Sequence, residues 1–126
     1  MRIVRTVLIG LVAASCASSG GQEGPARRRD TITTEEIAGL QVTSGYEVVQ
    51  QLRPEYLRTR GVQSMQSAST QMAVVYVDGV RQGGPDALRQ IPRESIQEIR
   101  YLNGSDATTQ YGTGHGGGAI LVRTRR

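Results

Sequence analysis

One cysteine, one histidine and eleven carboxylates are the residues through which this sequence could hold a metal, attack a carbonyl or take a covalent modification. They do not combine into a catalytic set. His115 sits between Gly114 and Gly116, so it is expected on an exposed turn with nothing to orient it. A Ser-His-Asp arrangement needs a histidine held by a third group. A zinc site needs three or four ligands, and Cys16 lies at the other end of the chain. The carboxylates Asp78, Asp86, Glu94, Glu98 and Asp106 are scattered, and each has a local explanation. Asp78 belongs to a turn, Asp106 to a helix start, and Glu98 to the solvent side of a strand. Gly112, Gly114 and Gly117 match G-x-G-x-x-G. A dinucleotide site needs such glycines after a strand and before a helix. Here the order is reversed, so the run reads as a flexible turn. The expectation is a protein that binds rather than catalyses, with no cofactor, no metal and no catalytic residue.

Cys16 is the exception, because its surroundings favour modification. Residues 1–16 read MRIVRTVLIGLVAASC. Arg2 and Arg5 form a positive start, and Val7 to Ala14 form an apolar stretch too short to span a bilayer permanently. A lone cysteine cannot form a disulfide within its own chain. Val12-Ala13-Ala14-Ser15-Cys16 resembles the lipobox of bacterial lipoproteins, departing from it at Ala13, where Leu is commoner. That resemblance implies cleavage before Cys16 and acylation of Cys16, the one site residue assigned. Two or more acyl chains give stable anchoring, at about 0.8 kcal/mol per buried methylene. Ala17 in place of Asp implies, by the same resemblance, the outer membrane.

The division expected is a signal over 1–15, the lipidated Cys16 with a linker to 29, and a folded domain over 30–126. Residues 17–29, ASSGGQEGPARRR, contain nothing that can pack. The formal charge of +4 falls by the two arginines of the signal, to +2. All fifteen basic residues are Arg, and their only run, Arg27-Arg28-Arg29, lies in the linker. Nucleic-acid binding needs a clustered basic face, so no nucleic-acid partner is expected.

The domain contains no Trp and no Phe, so Val, Ile, Leu and Ala must make its core. Asp30 to Thr33 read as a short strand. Thr34-Glu35-Glu36-Ile37 begin a brief helix that Gly39 ends. Ser44-Gly45-Tyr46-Glu47 is a capping box, followed by Tyr46, Val49 and Leu52 on one helical face with Val48 beside them. Pro54 closes that helix and opens a turn through Tyr56 and Leu57. Residues 61–71 read as a loop. Met72 to Val77 suggest a central strand buried on both faces. Asp78-Gly79 folds Val80-Arg81 back as a hairpin. Pro85 starts a helix that Pro92 ends, with Leu88 and Ile91 inward. Ile96 to Leu102 alternate, placing Gln97, Ile99 and Tyr101 opposite Ile96, Glu98, Arg100 and Leu102. Ser105 caps a helix through Tyr111, and Ala119 to Thr124 make the last strand. This order implies an α/β (α+β) fold: a small open mixed sheet with short helices packed on it.

From Ile32 onward the chain resembles the plug domain of TonB-dependent outer-membrane receptors. Ile32 to Ile37 is similar to the opening of such plugs, and Tyr46 to Leu52 to the helix that follows. Val74-Val75-Tyr76-Val77-Asp78-Gly79-Val80-Arg81 is similar to their strand-turn-strand core. Ile91-Pro92 with Ile96 to Gly104 resembles their next strand. Ala107, Tyr111-Gly112 and Gly117 to Thr124 resemble their closing motif. Asn103-Gly104-Ser105 stands where the family usually has Arg-Gly-Pro, and residues 17–29 show no clear TonB box. The sequence stops at Arg126, without the strands of even a small barrel. The expectation is therefore a plug used without a barrel, on a lipoprotein. It would be an interaction module facing the periplasm, in contact with the membrane through its anchor and with envelope or transport proteins. The alternative is a binder of a small siderophore- or saccharide-like ligand, using loops 61–71 and 112–118.

Overall fold

The computed structural model describes residues 29–58 and 72–126. Five strands form one mixed sheet: β1 (Thr31–Ile32), β2 (Val74–Val77), β3 (Val80–Gly83), β4 (Ile96–Leu102) and β5 (Ala119–Thr124), in the order β1-β4-β5-β2-β3. β5 is antiparallel to β4 and parallel to β2, while β1–β4 and β2–β3 are antiparallel pairs. The α-helices are α1 (Thr34–Ala38), α2 (Gly45–Leu52) and α3 (Gly104–Tyr111). Met72 to Val77 thus supplies an inner strand, β2, but the centre belongs to β5.

Local chemistry explains most of the boundaries. The Glu47 carboxylate takes the N–H groups of Thr43 and Ser44 at 2.8 and 3.4 Å, and Ser44 Oγ accepts from the Glu47 N–H at 3.4 Å. These bonds satisfy donors that the start of α2 leaves open. Asp78 and Gly79 both have positive φ, 48° and 85°, as a two-residue hairpin turn requires. Pro54–Leu57 forms a 3₁₀ turn, with Pro in its first turn.

The buried stripe of α2 is Gly45, Val48 and Val49; Tyr46 stays half-buried, with the Arg89 guanidinium 3.8 Å above its ring. Tyr46 and Leu52 pack against the core with Val48 and Val49, as expected, and Gly45 joins that face because it lies close to Ile96 and the Leu88 carbonyl. The helix expected from Pro85 is present as a 3₁₀ helix, Pro85–Gln90. Its i→i+3 bonds, Ala87 N–H to Gly84 O and Ile91 N–H to Leu88 O, close short turns. Pro92 holds Ile91 extended and ends the segment there.

Two further expectations are corrected. β4 does not alternate throughout. Ile96 pairs with Thr124 and Glu98 with Arg123, so Gln97 is the extra residue of a bulge. Ile96 thereby joins Ile99 and Tyr101 in the main core. The Gln97 carbonyl turns to accept from the Thr34 hydroxyl. In α3 the cap is Asn103, not Ser105: Asn103 accepts from the Asp106 N–H at 2.9 Å, and its amide donates to the Asp106 carboxylate at 2.9 Å.

The main core fills one face of the sheet. Ile32, Val75, Ile96, Ile99, Ile120 and Val122 pack there with Val48, Val49 and Leu88 from the helical layer. Tyr56 stacks on Tyr101 at a centroid distance of 4.6 Å. Each large aliphatic side chain buried here contributes about 1.5–3 kcal/mol.

Gly118 (φ +94°) brings β5 in beneath β4. A Cβ there would stand 2.5 Å from both the Leu102 carbonyl and the Tyr101 hydroxyl. Gly79 also has positive φ, but has nothing within 4 Å of its would-be Cβ. Gly118→Ala should therefore cost about 3 kcal/mol in urea unfolding, against about 1 kcal/mol for Gly79→Ala. Equal midpoint shifts would show that the close approach at Gly118 does not matter.

Candidate functional site

The second face of the sheet is only half covered. Val74, Tyr76, Leu102 and Ala119 meet Ala107 of α3, with Tyr111 and Leu121 at the margin. Beyond α3 lies an open groove of about 620 Å³ across β4, β5 and β2. The ladder fixes its contents: Arg100 lies opposite Leu121, which lies beside Tyr76, and Glu98 lies opposite Arg123. Tyr76, Tyr111 and Leu121 form the apolar part, while Glu98, Arg100 and Arg123 stand around it with Asp78 and Arg126. A second groove of about 530 Å³ lies between β3 and the 3₁₀ helix, with Gln82, Gln90 and Ile91 in its lining.

His115 closes the apolar end. It was expected to be exposed and is 4% exposed. Its Nε2 is 2.8 Å from the Tyr76 hydroxyl, and its Nδ1 is 2.9 Å from the Gly112 carbonyl. A carbonyl only accepts, so Nδ1 carries the proton, Nε2 accepts, and the Tyr76 hydroxyl donates. Tyr76 and Tyr111 stack at 4.3 Å, with His115 beside both. The glycines at 112, 114 and 118 adopt positive φ and let the loop fold over β2. A signal for this existed in the sequence. Tyr76 stands in an apolar run, and a buried tyrosine hydroxyl needs a partner.

His115 is therefore a fastener of the loop, with both nitrogens engaged. Loop 112–118 is committed to packing on Tyr76, and Gly112, Gly114 and Gly117 link the end of α3 to β5. Among the described residues, no three His, Cys, Asp or Glu side chains gather where they could hold a metal ion. Cys16 and loop 61–71 lie outside the described residues. Among those that are described, no helix is long and apolar enough to cross a membrane.

Asp78 does more than shape its turn. One carboxylate oxygen accepts the Thr124 N–H at 2.9 Å, and the other accepts the Thr124 hydroxyl. These bonds hold its pKa below the ordinary carboxylate value, with smaller contributions from the Arg126 and Arg123 charges. The hairpin is thus bonded to the end of the central strand.

The family model of the TonB-dependent receptor plug domain matches residues 22–119. The chain belongs to that family. No curated protein and no solved structure matches it. The matched stretch runs from residue 22 to the first residue of β5. It contains the groove's contributions from β2 and β4, while Leu121 and Arg123 follow it. The plug family is associated with the outer membrane, and its members belong to transport receptors rather than enzymes. The plug-like pieces legible in the sequence, β2-turn-β3, β4 and β5, are neighbours in one sheet here. Asn103-Gly104-Ser105 serves this plug as the cap and first turn of α3.

Two outcomes follow for the fastened end of the sheet. His115→Phe leaves the Tyr76 hydroxyl and the Gly112 carbonyl without that partner and should cost about 2–4 kcal/mol. Tyr76→Phe should cost about 1 kcal/mol, and the pair together less than the sum, since both remove one shared bond. Additive costs in denaturant unfolding would mean that the bond contributes nothing. Because the Asp78 pKa is depressed on folding, its contribution is present above the unfolded value of about 3.9 and lost as pH falls through the folded value. The unfolding midpoint of the wild type should therefore fall more steeply on acidification below about pH 4 than that of Asp78→Asn.

Proposed function

We propose that this plug is a non-enzymatic interaction module, held at the outer membrane by acylation of Cys16 and facing the periplasm. There it contacts other envelope components, such as a transport complex. The observation that carries the reading is the sheet itself. One face is sealed by helices and the other is half open, with a groove whose charged residues the domain's own core does not use. Membership of the plug family supports a place beside transport machinery. The lipobox-like residues Val12 to Cys16 support the anchor.

Cells fed labelled palmitate test the anchor. The wild-type protein should carry label and sediment with outer membranes, while Cys16→Ala should lose both. A freely soluble, unlabelled wild-type protein would end the membrane part of the reading. The module is tested by crosslinking in intact cells followed by purification of the wild-type protein. Recovery of defined envelope proteins is expected, and recovery of none across growth conditions overturns the interaction role.

A further inference from the structure

We propose that the groove over β4, β5 and β2 receives an extended acidic segment of a partner protein, with two acidic residues spaced i, i+2. This deepens the interaction reading and rests on it.

The charge around the groove sets the sign of the partner. Arg100, Arg123 and Arg126 are exposed and make no ion pair or hydrogen bond among the described residues, whose ion pairs are Arg53–Glu36, Arg89–Asp86 and Arg93–Glu94. Both Asp78 oxygens are bonded to Thr124. Glu98 stands directly opposite Arg123 in the ladder without an ion pair. Three guanidinium groups without an ion pair therefore face two carboxylates, Glu98 and Asp78, and the groove keeps a net positive charge.

The ladder sets the spacing. Arg100 is opposite Leu121, and Arg123 lies two residues beyond Leu121 on the same face. Arg100 and Arg123 are thus diagonal neighbours, about 7–8 Å apart. An extended chain places residues i and i+2 on one side at about 6.8 Å, twice the rise per residue. Two carboxylates at that spacing match the two arginines, and each arginine can bind its carboxylate with two N–H groups.

Shape argues for a peptide over a small anion. A small-molecule site encloses most of its ligand. This groove lies on a sheet face and opens along its length, so a chain can cross it while a lone small anion stays wet.

The test uses the full-length chain in detergent micelles, with amide chemical shifts as the readout. The probe is a peptide containing Leu-Thr-Glu-Thr-Glu. The controls are Leu-Thr-Lys-Thr-Lys, the rearranged Leu-Glu-Glu-Thr-Thr, and citrate. The first peptide should shift Tyr76, Arg100, Leu121 and Arg123 with a Kd near or below about 1 mM, weakening as salt rises from about 50 to about 500 mM. Arg100→Glu with Arg123→Glu should weaken it at least about tenfold. If that variant loses its dispersed amide spectrum, Arg100→Gln with Arg123→Gln takes its place and should weaken binding in the same direction. Equal binding of the lysine or rearranged peptide, equal shifts with citrate, or no shifts at all would overturn the proposal. Crosslinking separates this outcome from the broader reading. Envelope partners recovered equally with the charge-reversed groove refute the groove and leave the module intact.

Discussion

The structure depends on its last strand lying in the middle of its sheet. β1 is joined to β4 and β2 to β3, but these two pairs meet only through β5. β5 must therefore satisfy two neighbours and two faces at once. Ile120 and Val122 enter the main core, while Ala119 and Leu121 turn to the other side. Ala119 is small where α3 presses Ala107 towards the sheet, and Gly118 admits the strand beneath Leu102. The Asp78–Thr124 bonds and the bond from the Asp78 N–H to the Val122 carbonyl then tie the β2–β3 turn to the far end of the same strand. Little of this sheet can form before β5 arrives, so its pairing is non-local and its closure carries the entropy of a long loop.

The features legible in the sequence are those decided within a few residues. The Ser44–Glu47 box, the Asp78-Gly79 turn, the stops at Pro54 and Pro92, and the bounds of β4 and β5 all rest on short-range chemistry. The features that escaped depend on partners far along the chain. The bulge at Gln97 is set by the pairing of β4 with β5, and strict alternation could not reveal that Ile96 changes sides. His115 was placed in solvent because its neighbours are glycines. Its burial depends on Tyr76, 39 residues away. The shift of the cap from Ser105 to Asn103 is a smaller case. Both residue types cap well, and the closeness of the Gly116 carbonyl to Gly104 favours glycine inside the first turn.

The groove was hidden for the same reason. Arg100 and Arg123 each read as the outward residue of an amphipathic strand, which is the usual place for arginine. What distinguishes them is register, since the ladder sets them on one diagonal beside Leu121 and Tyr76. A surface made of cross-strand neighbours has no signature in either strand alone. The fastened loop shapes it as well. By engaging the Tyr76 hydroxyl, His115 satisfies the polar end of that ring, and the groove keeps an apolar wall.

The entry of the chain gives this surface a direction. The Arg29 carbonyl accepts from the Tyr56 hydroxyl and from Arg53 Nε, and the Asp30 carbonyl accepts from the Tyr101 N–H. Tyr56 is in turn stacked on Tyr101, and burial raises its hydroxyl pKa, so the group stays a donor throughout the physiological range. Any restraint applied upstream of Arg29 thus reaches the domain at the Tyr101 end of β4. Glu98, Arg123 and Arg126 lie towards the other end of that strand pair, while Arg100 stands next to Tyr101 and opposite Thr31 of β1. β4 is seven residues long, about 23 Å at the usual rise. A force applied upstream of Arg29 would therefore load β1 and the two stacked tyrosines, and through the Thr31–Arg100 pair it would reach the near end of the arginine diagonal. The entry of the chain and the groove are therefore coupled at Arg100, while Arg123 lies one row further along the sheet.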